Sequence, residues 1–167
     1  MSLSFLKDGV TQVAWVVEDA DRWVEWFHSL TGIGPWHFYL YGDPLLKCMK
    51  RYGTNADYAM LAAVTNAGPT RLEVVQPVKG DTVFSEYVRK HGYGRIQHFG
   101  VAVSDMSSAV AQANDAGYHI VMEGSGYGLD GDGHFAYLDT EETLGIMVEL
   151  MERPRRRHPP LRVYPQE

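Results

Sequence analysis

Residues 10–17, Val-Thr-Gln-Val-Ala-Trp-Val-Val, are β-branched and aromatic and predict a strand with one polar residue, Gln12, near its start. Glu18-Asp19-Ala20-Asp21 then supplies the cap and first-turn acids of a helix. Its Trp23, Val24, Trp26, Phe27 and Leu30 recur at helical spacing. Thr31-Gly32-Ile33-Gly34-Pro35 ends that helix by glycine and proline chemistry. Further strands are predicted over 36–41, 58–64 and 71–76, the last closed by Pro77. The stretch 42–57 reads either as a long lid-like loop or as a loop with one more strand over 47–52. A short helix is predicted over 81–91, with Phe84, Tyr87 and Val88 on one side and Gly92-Tyr93-Gly94 as its stop.

The second half replays the first. A strand over 96–103 runs into the cap Ser104-Asp105, a helix continues through Ala116, and Gly117 ends it. Strands follow over 119–123, 135–138 and 146–151, with a glycine-rich loop over 124–133 between the first two. Each half therefore reads strand, helix, three strands. Gln12 answers His98, Val16-Val17 answers Ala102-Val103, Asp19 answers Asp105, and Val24 answers Val110. A repeat of this kind decides the fold before any single motif does.

Late in each half, one glutamate stands among apolar neighbours: Leu72-Glu73-Val74-Val75 and Val148-Glu149-Leu150-Met151. Either glutamate alone could face solvent, because strand residues alternate faces. If instead they are buried, they must be paired, hydrogen-bonded or bound to a metal. If the halves pack about a pseudo-twofold axis, Gln12, Glu73, His98 and Glu149 converge on one point. With histidine neutral, that set carries two negative charges, the complement of a divalent cation.

These residues carry a resemblance. Leu72-Glu73-Val74-Val75-Gln76-Pro77, Ile96-Gln97-His98-Phe99-Gly100-Val101-Ala102-Val103 and Gly145-Ile146-Met147-Val148-Glu149-Leu150, in that order within 10–152, resemble the vicinal oxygen chelate superfamily. Within that glyoxalase, bleomycin resistance protein and dioxygenase group, the chain is most similar to the methylmalonyl-CoA epimerase-like glyoxalase branch. The resemblance implies an α+β fold, two tandem βαβββ modules forming a cupped eight-stranded mixed sheet. It places a single domain at 8–152, made of modules at about 8–80 and 94–152, with a Pro/Arg-rich tail at 153–167. It implies a divalent metal ion that holds both oxygens of a substrate or its enolate, while a neighbouring glutamate moves a proton on the adjacent carbon. His98 and Glu149 match the family's ligand positions, and Glu73 matches one where relatives carry glutamate or glutamine. Gln12 stands where the family usually has histidine. The expected metal ligands are thus Gln12, Glu73, His98 and Glu149, with Glu73 and Glu149 as the catalytic carboxylates. An amide oxygen is a harder, weaker donor than imidazole, which shifts the expected ion from zinc toward manganese, magnesium or cobalt. Extradiol dioxygenase chemistry fits less well, since Gln12 removes one of the two histidines of such an iron site.

Composition narrows the partners. Across 167 residues, a 45% apolar and 22% charged content is that of a globular domain. The formal charge of −6 disfavours nucleic acid. No apolar run reaches the ~20 residues needed to span a bilayer, and 1–8 do not read as a secretory leader. Cys48 is the single cysteine, which suits a reducing compartment, so a cytoplasmic protein is expected. Arg153, Arg155, Arg156, Arg157 and Arg162 lie among prolines and read as a solvated arm or an arm on a neighbouring subunit. Family relatives imply a homodimer. The glycine-rich loop does not open a helix and reads as a hairpin or rim loop rather than a phosphate cradle. Trp15, Trp23, Trp26 and Trp36 read as packing residues, and His134 as a loop residue. Tyr39, Tyr41, Tyr52 and Tyr58 could line a pocket. The expected substrate is a small molecule with two adjacent oxygens. A second class stays open: a non-catalytic small-ligand-binding protein, like bleomycin-resistance relatives, favoured by Gln12 and the many aromatics.

Overall fold

Strand β1 (Gln12–Val16) opens the first half and leads into helix α1 (Ala20–Thr31). Asp19 caps that helix by accepting a hydrogen bond from the Arg22 backbone N–H, and Gly32 ends it in the left-handed conformation. Strands β2 (Trp36–Tyr41), β3 (Cys48–Arg51), β4 (Thr54–Asn55), β5 (Ala59–Ala67) and β6 (Thr70–Lys79) follow. Helix α2 (Val83–His91), closed at its start by a Thr82–Ser85 capping box, joins the halves. The second half is β7 (Arg95–Ala102), α3 (Met106–Asp115) capped by Asp105, β8 (Ile120–Ser125), β9 (His134–Leu138), the short α4 (Glu141–Leu144) and β10 (Met147–Glu152). The chain then adds β11 (Arg162–Tyr164). This computed structural model describes residues 2–166; Glu167, the last residue of the expected tail, lies outside them.

All strands join one mixed sheet in the order β11-β2-β5-β6-β1-β7-β10-β9-β8-β3-β4. The eight repeat strands sit in the middle, β2-β5-β6-β1 against β7-β10-β9-β8, and the halves meet where β1 and β7 run antiparallel. The α+β repeat architecture is as expected, but the sheet has 11 strands rather than eight. The three extra strands cover the outer strands, whose unpaired N–H and C=O groups would otherwise be open. Strand β3 crosses from the first half and pairs with β8 of the second, Cys48 opposite Ser125 and Arg51 opposite Met122. Strand β11 pairs with β2, Val163 opposite His37. The stretch 42–57 is therefore a strand-bearing strap.

Part of the tail, Arg162–Tyr164, is likewise an edge strand, and most of its arginines are paired. Arg162 pairs with Asp21 of α1 and lies 4.0 Å over the Phe38 ring. Arg155 and Arg156 bond Asp132 and Asp130 of the glycine-rich loop. These acids lie far from the arginines in sequence, so composition alone left the arginines looking free.

Alternation sorts the two sheet faces. Leu72, Val74 and Trp36 pack under α1 with Val24, and Val148, Leu150 and Val101 pack under α3 with Ala109 and Ala113. Burying each of these valine and leucine side chains stabilises the fold by roughly 1.5–3 kcal/mol. The same pleat turns Glu73 and Glu149 to the opposite, concave face. Trp15, Trp23, Phe27 and Trp36 form one aromatic cluster under α1, with Trp23 stacked on Phe27 at 4.8 Å. Trp26 instead is 60% exposed. No helix among the described residues is long and apolar enough to cross a membrane.

Candidate metal centre

Four central strands set the site as a grid. Across β6, β1, β7 and β10, one row of registered residues is Glu73, Ala14, His98, Met147. The next row is Arg71, Gln12, Gly100, Glu149. Turned end for end, the second row answers the first: Glu149 for Glu73, Gly100 for Ala14, Gln12 for His98, Arg71 for Met147. The small Ala14 and Gly100 separate the four polar side chains and leave them room to meet above the sheet.

They do meet. The Gln12 amide lies 3.0 Å from Glu73 Oε2, 2.8 Å from Glu149 Oε2 and 3.4 Å from His98 Nε2. His98 Nε2 lies 3.3 Å from both carboxylates. All four expected site residues are buried, His98 completely and Glu73 least so at 8% exposure. Burial opposes charge on the His98 ring, but the Glu149 and Glu73 carboxylates outweigh it and raise its pKa to about 9. Burial, then the Glu149 and Glu73 charges, push the neighbouring Tyr137 phenol well up, so it stays protonated.

A divalent ion suits this donor set. Glu73, His98 and Glu149 each offer a ligand atom within 4.8 Å of the others, and with neutral His98 the set carries two negative charges. The other histidine nitrogen is already engaged: Nδ1 lies 2.7 Å from Gln97 Oε1, and that contact aims Nε2 into the cluster, as the hydrogen-bond partners behind metal-ligating histidines do. Gln12 has two ways to serve. With Nε2 inward it donates to both carboxylates. With the amide turned over, a change that alters no shape, Oε1 would face the centre instead.

Gln97 owes its place to a β-bulge. The β1–β7 register slips between Ala14, opposite His98, and Trp15, opposite Ile96, so Gln97 is an extra residue in β7. Two consecutive side chains therefore turn to the same face. Gln97 also donates to Met147 Sδ at 3.2 Å, and both residues are buried. Strict alternation puts Gln97 on the far face, so sequence reasoning missed it.

Gly100 is required by space rather than by backbone angle. A methyl there would lie 2.7 Å from Gln12 Cβ and 2.6 Å from Met151 Cε. Met151 ends in a flexible methyl, but Gln12 Cβ is tied to its strand. Gly100→Ala is expected to lower stability by about 1–3 kcal/mol, as overpacking does. It should also displace Gln12, which amide NMR shifts of Gln12 against wild type would show.

A cavity of about 30 Å³ opens onto Gln12, Glu73 and Glu149 between Tyr41, Tyr127, Phe135 and Tyr137. Arg71 and Arg157 border it too. Of the candidate tyrosines, Tyr41 lines this cavity and Tyr39 an adjoining one, while Tyr58 donates to the Glu123 carbonyl at 2.6 Å and Tyr52 is exposed. Three other histidines have their own partners: His134 pairs with Glu123, His91 with Glu141, and His119 meets Asn114. Tyr127, Tyr137 and Arg71 were not singled out by sequence, and Arg157 only as one of the tail arginines; the unequal repeat pair, Arg71 for Met147, was a readable sign.

The sequence profile of the glyoxalase/bleomycin resistance protein/dioxygenase superfamily matches residues 11–137. No curated protein matches the chain by sequence. Among solved structures, methylmalonyl-CoA epimerase from Mycobacterium tuberculosis is similar with a TM-score of 0.60 and 21% identity, covering 87% of each chain. A Streptomyces coelicolor methylmalonyl-CoA epimerase variant in complex with 2-nitronate-propionyl-CoA gives 0.58 and 17%, covering 90% of this chain and 98% of that one. A hypothetical protein from Bacillus halodurans gives 0.61 and 14%, covering 90% and 97%. At these identities the likeness is one of fold.

Proposed function

The chain belongs to the glyoxalase/bleomycin resistance protein/dioxygenase superfamily, and from that premise we propose that it is a metal-dependent isomerase, epimerase or lyase. Its reaction moves a proton next to a carbonyl in a small substrate with adjacent oxygens, acyl thioesters included. The observation that carries this reading is the meeting of Gln12, Glu73, His98 and Glu149 in one buried cluster beside a cavity.

In this reading Glu73, His98, Glu149 and the Gln12 amide oxygen hold a divalent ion: manganese, magnesium, cobalt or zinc. When bound, the ion supplies positive charge that stabilises a developing enolate. Glu73 and Glu149 both border the cavity, so either carboxylate is placed to take a proton from a substrate carbon there. Gln97 holds His98 in the tautomer that leaves Nε2 free for the ion. Tyr137 and Tyr127, both buried beside the cavity, restrict water around the reacting carbon. The finer picture is a cytoplasmic homodimer, supported by the free Cys48 and by the habit of the family.

A second reading, ligand binding without catalysis, is favoured by one observation. With Nε2 inward, Gln12 gives one hydrogen bond to each of Glu73 and Glu149, an arrangement that needs no ion to hold the cluster together. Metal analysis of protein purified without chelator separates the two readings. Bound manganese, cobalt or magnesium is expected; a strictly zinc-loaded site would count against the Gln12 amide oxygen as a ligand, and a site that takes up no ion would sink the first reading. Gln12→His, which restores imidazole to the cluster, should tighten divalent binding about tenfold or more and shift preference toward zinc. An unchanged affinity would remove residue 12 from the ligand set.

A further inference from the structure

The repeat grid keeps the character of each position, small for small and polar for polar, except at one pair of corners, where Arg71 answers Met147. At the Met147 corner Met147, Gln97 and Phe84 are all buried, and the cavity of about 320 Å³ that Met147 borders has Glu86, Glu141 and Glu142 in its lining and none of the four site residues. The Arg71 corner is open, and it lies between two cavities. Arg71 and Arg157 border both the site cavity and a second one of about 280 Å³, lined further by His37, Tyr39, Thr65 and Asn66.

The charges here lack partners. Arg71 Nε is fully buried and has no hydrogen-bond partner. Among the described residues, Arg71, Arg153 and Arg157 make no ion pair, whereas Arg155, Arg156 and Arg162 are each neutralised by aspartates. The tail is built to deliver one of these free cations. Backbone contacts hold it to the glycine-rich loop, Gly128 bridging Arg157 and the Leu129 N–H donating to the Arg156 carbonyl at 3.0 Å. Arg155 and Arg156 turn out to Asp132 and Asp130, and Arg157 turns in to the cavity. Partial burial and the charges of Arg71 and Arg157 also hold the Arg153 guanidinium below its ordinary range, as expected where like charges converge.

We propose that Arg71 and Arg157 form an oxyanion subsite that binds a second, anionic group of the substrate, a carboxylate or a phosphate, beside the Glu73–His98–Glu149 centre. Guanidinium forks match the planar oxygens of such groups. The substrate is then anionic, its reacting carbon at the site cavity and its charged group between the two chambers. This deepens the proposed function and rests on it for the location of the reacting carbon, not for the binding of the anion.

Calorimetric titrations of the full-length protein test it, with and without Mn2+. The probes are malonate, inorganic phosphate and the neutral malonamide. Malonate or phosphate should bind wild type, and Arg71→Met and Arg157→Gln should each weaken that binding tenfold or more. Mn2+ affinity should not fall in either variant, because a nearby positive charge has been removed. Tighter malonate than phosphate identifies a carboxylate substrate; the reverse identifies a phosphorylated one. Malonamide binding as tightly as malonate, or variants binding both anions like wild type, would overturn the subsite. Arg157 is on the tail, so Arg157→Gln keeps the test open if Arg71→Met does not fold. Arginine-dependent anion binding in protein that takes up no Mn2+ would sustain the subsite while removing the metal reading.

Discussion

Glu149→Gln leaves the protein folded and lowers its affinity for divalent ions by about a hundredfold or more. The substitution keeps side-chain size, and the new amide oxygen still accepts the hydrogen bond that Gln12 now gives Glu149 at 2.8 Å. What disappears is one of two negative charges in a cluster where His98, when neutral, contributes none. Loss of a group that hydrogen-bonds to a metal ligand typically weakens metal binding 10–100-fold, so loss of a charged ligand should exceed that. Competition against a fluorescent chelator measures the affinity, and circular dichroism checks the fold. Exchange of the α-proton of an acyl thioester with solvent deuterium should fall with the metal. Affinity within about threefold of wild type would take Glu149 out of the ligand set.

Without metal, the protein loses stability between neutral and alkaline pH. His98 has a folded pKa of about 9 against an ordinary 6.5, because Glu149 and Glu73 favour its charged form more than burial opposes it. The folded state therefore holds the His98 proton more tightly than the unfolded chain does. That contribution is present in full below pH 6.5, decays as pH rises through about 9, and is gone above it. Its size is of the order of 3 kcal/mol for a completely buried group. The buried Tyr58, Tyr127 and Tyr137 are all pushed above their ordinary value of 10, so they leave this window unchanged. Urea denaturation of chelator-treated protein at pH 6 and pH 9.5 measures the loss, and His98→Gln should flatten it. Because an ion must displace the same proton, metal uptake near neutral pH should release about one proton per ion in weakly buffered solution. Stability that does not change across the window would mean that His98 is not the proton's holder in the folded state.

Much of the site was legible because it is written twice. A strand with one polar residue, a capped helix and a late apolar strand with one glutamate occur in both halves, and that repetition marked Gln12, Glu73, His98 and Glu149. Alternation along β6 and β10 then suffices to turn both glutamates away from the helices, because Leu72, Val74, Val148 and Leu150 must be covered. These are short-range consequences of residue type, and a sequence carries them.

Tertiary structure decided the rest. Gln97 faces the site because a register slip against β1 adds a residue to β7, and no periodicity in one strand reveals its partner's register. The sheet has 11 strands rather than eight because β3 and β11 satisfy edges that belong to other parts of the chain. The basic tail looked solvated because Asp21, Asp130 and Asp132 approach it only in space. Arg71 and Arg157 share two cavities although 86 positions part them in the chain, and only the folded tail brings the second to the first. The sequence by itself determined the doubled α+β pattern and the four polar residues at its centre, since local propensity and burial act along the chain. Which groups surround that centre, and which charges remain free for a ligand, follow from long-range pairing alone.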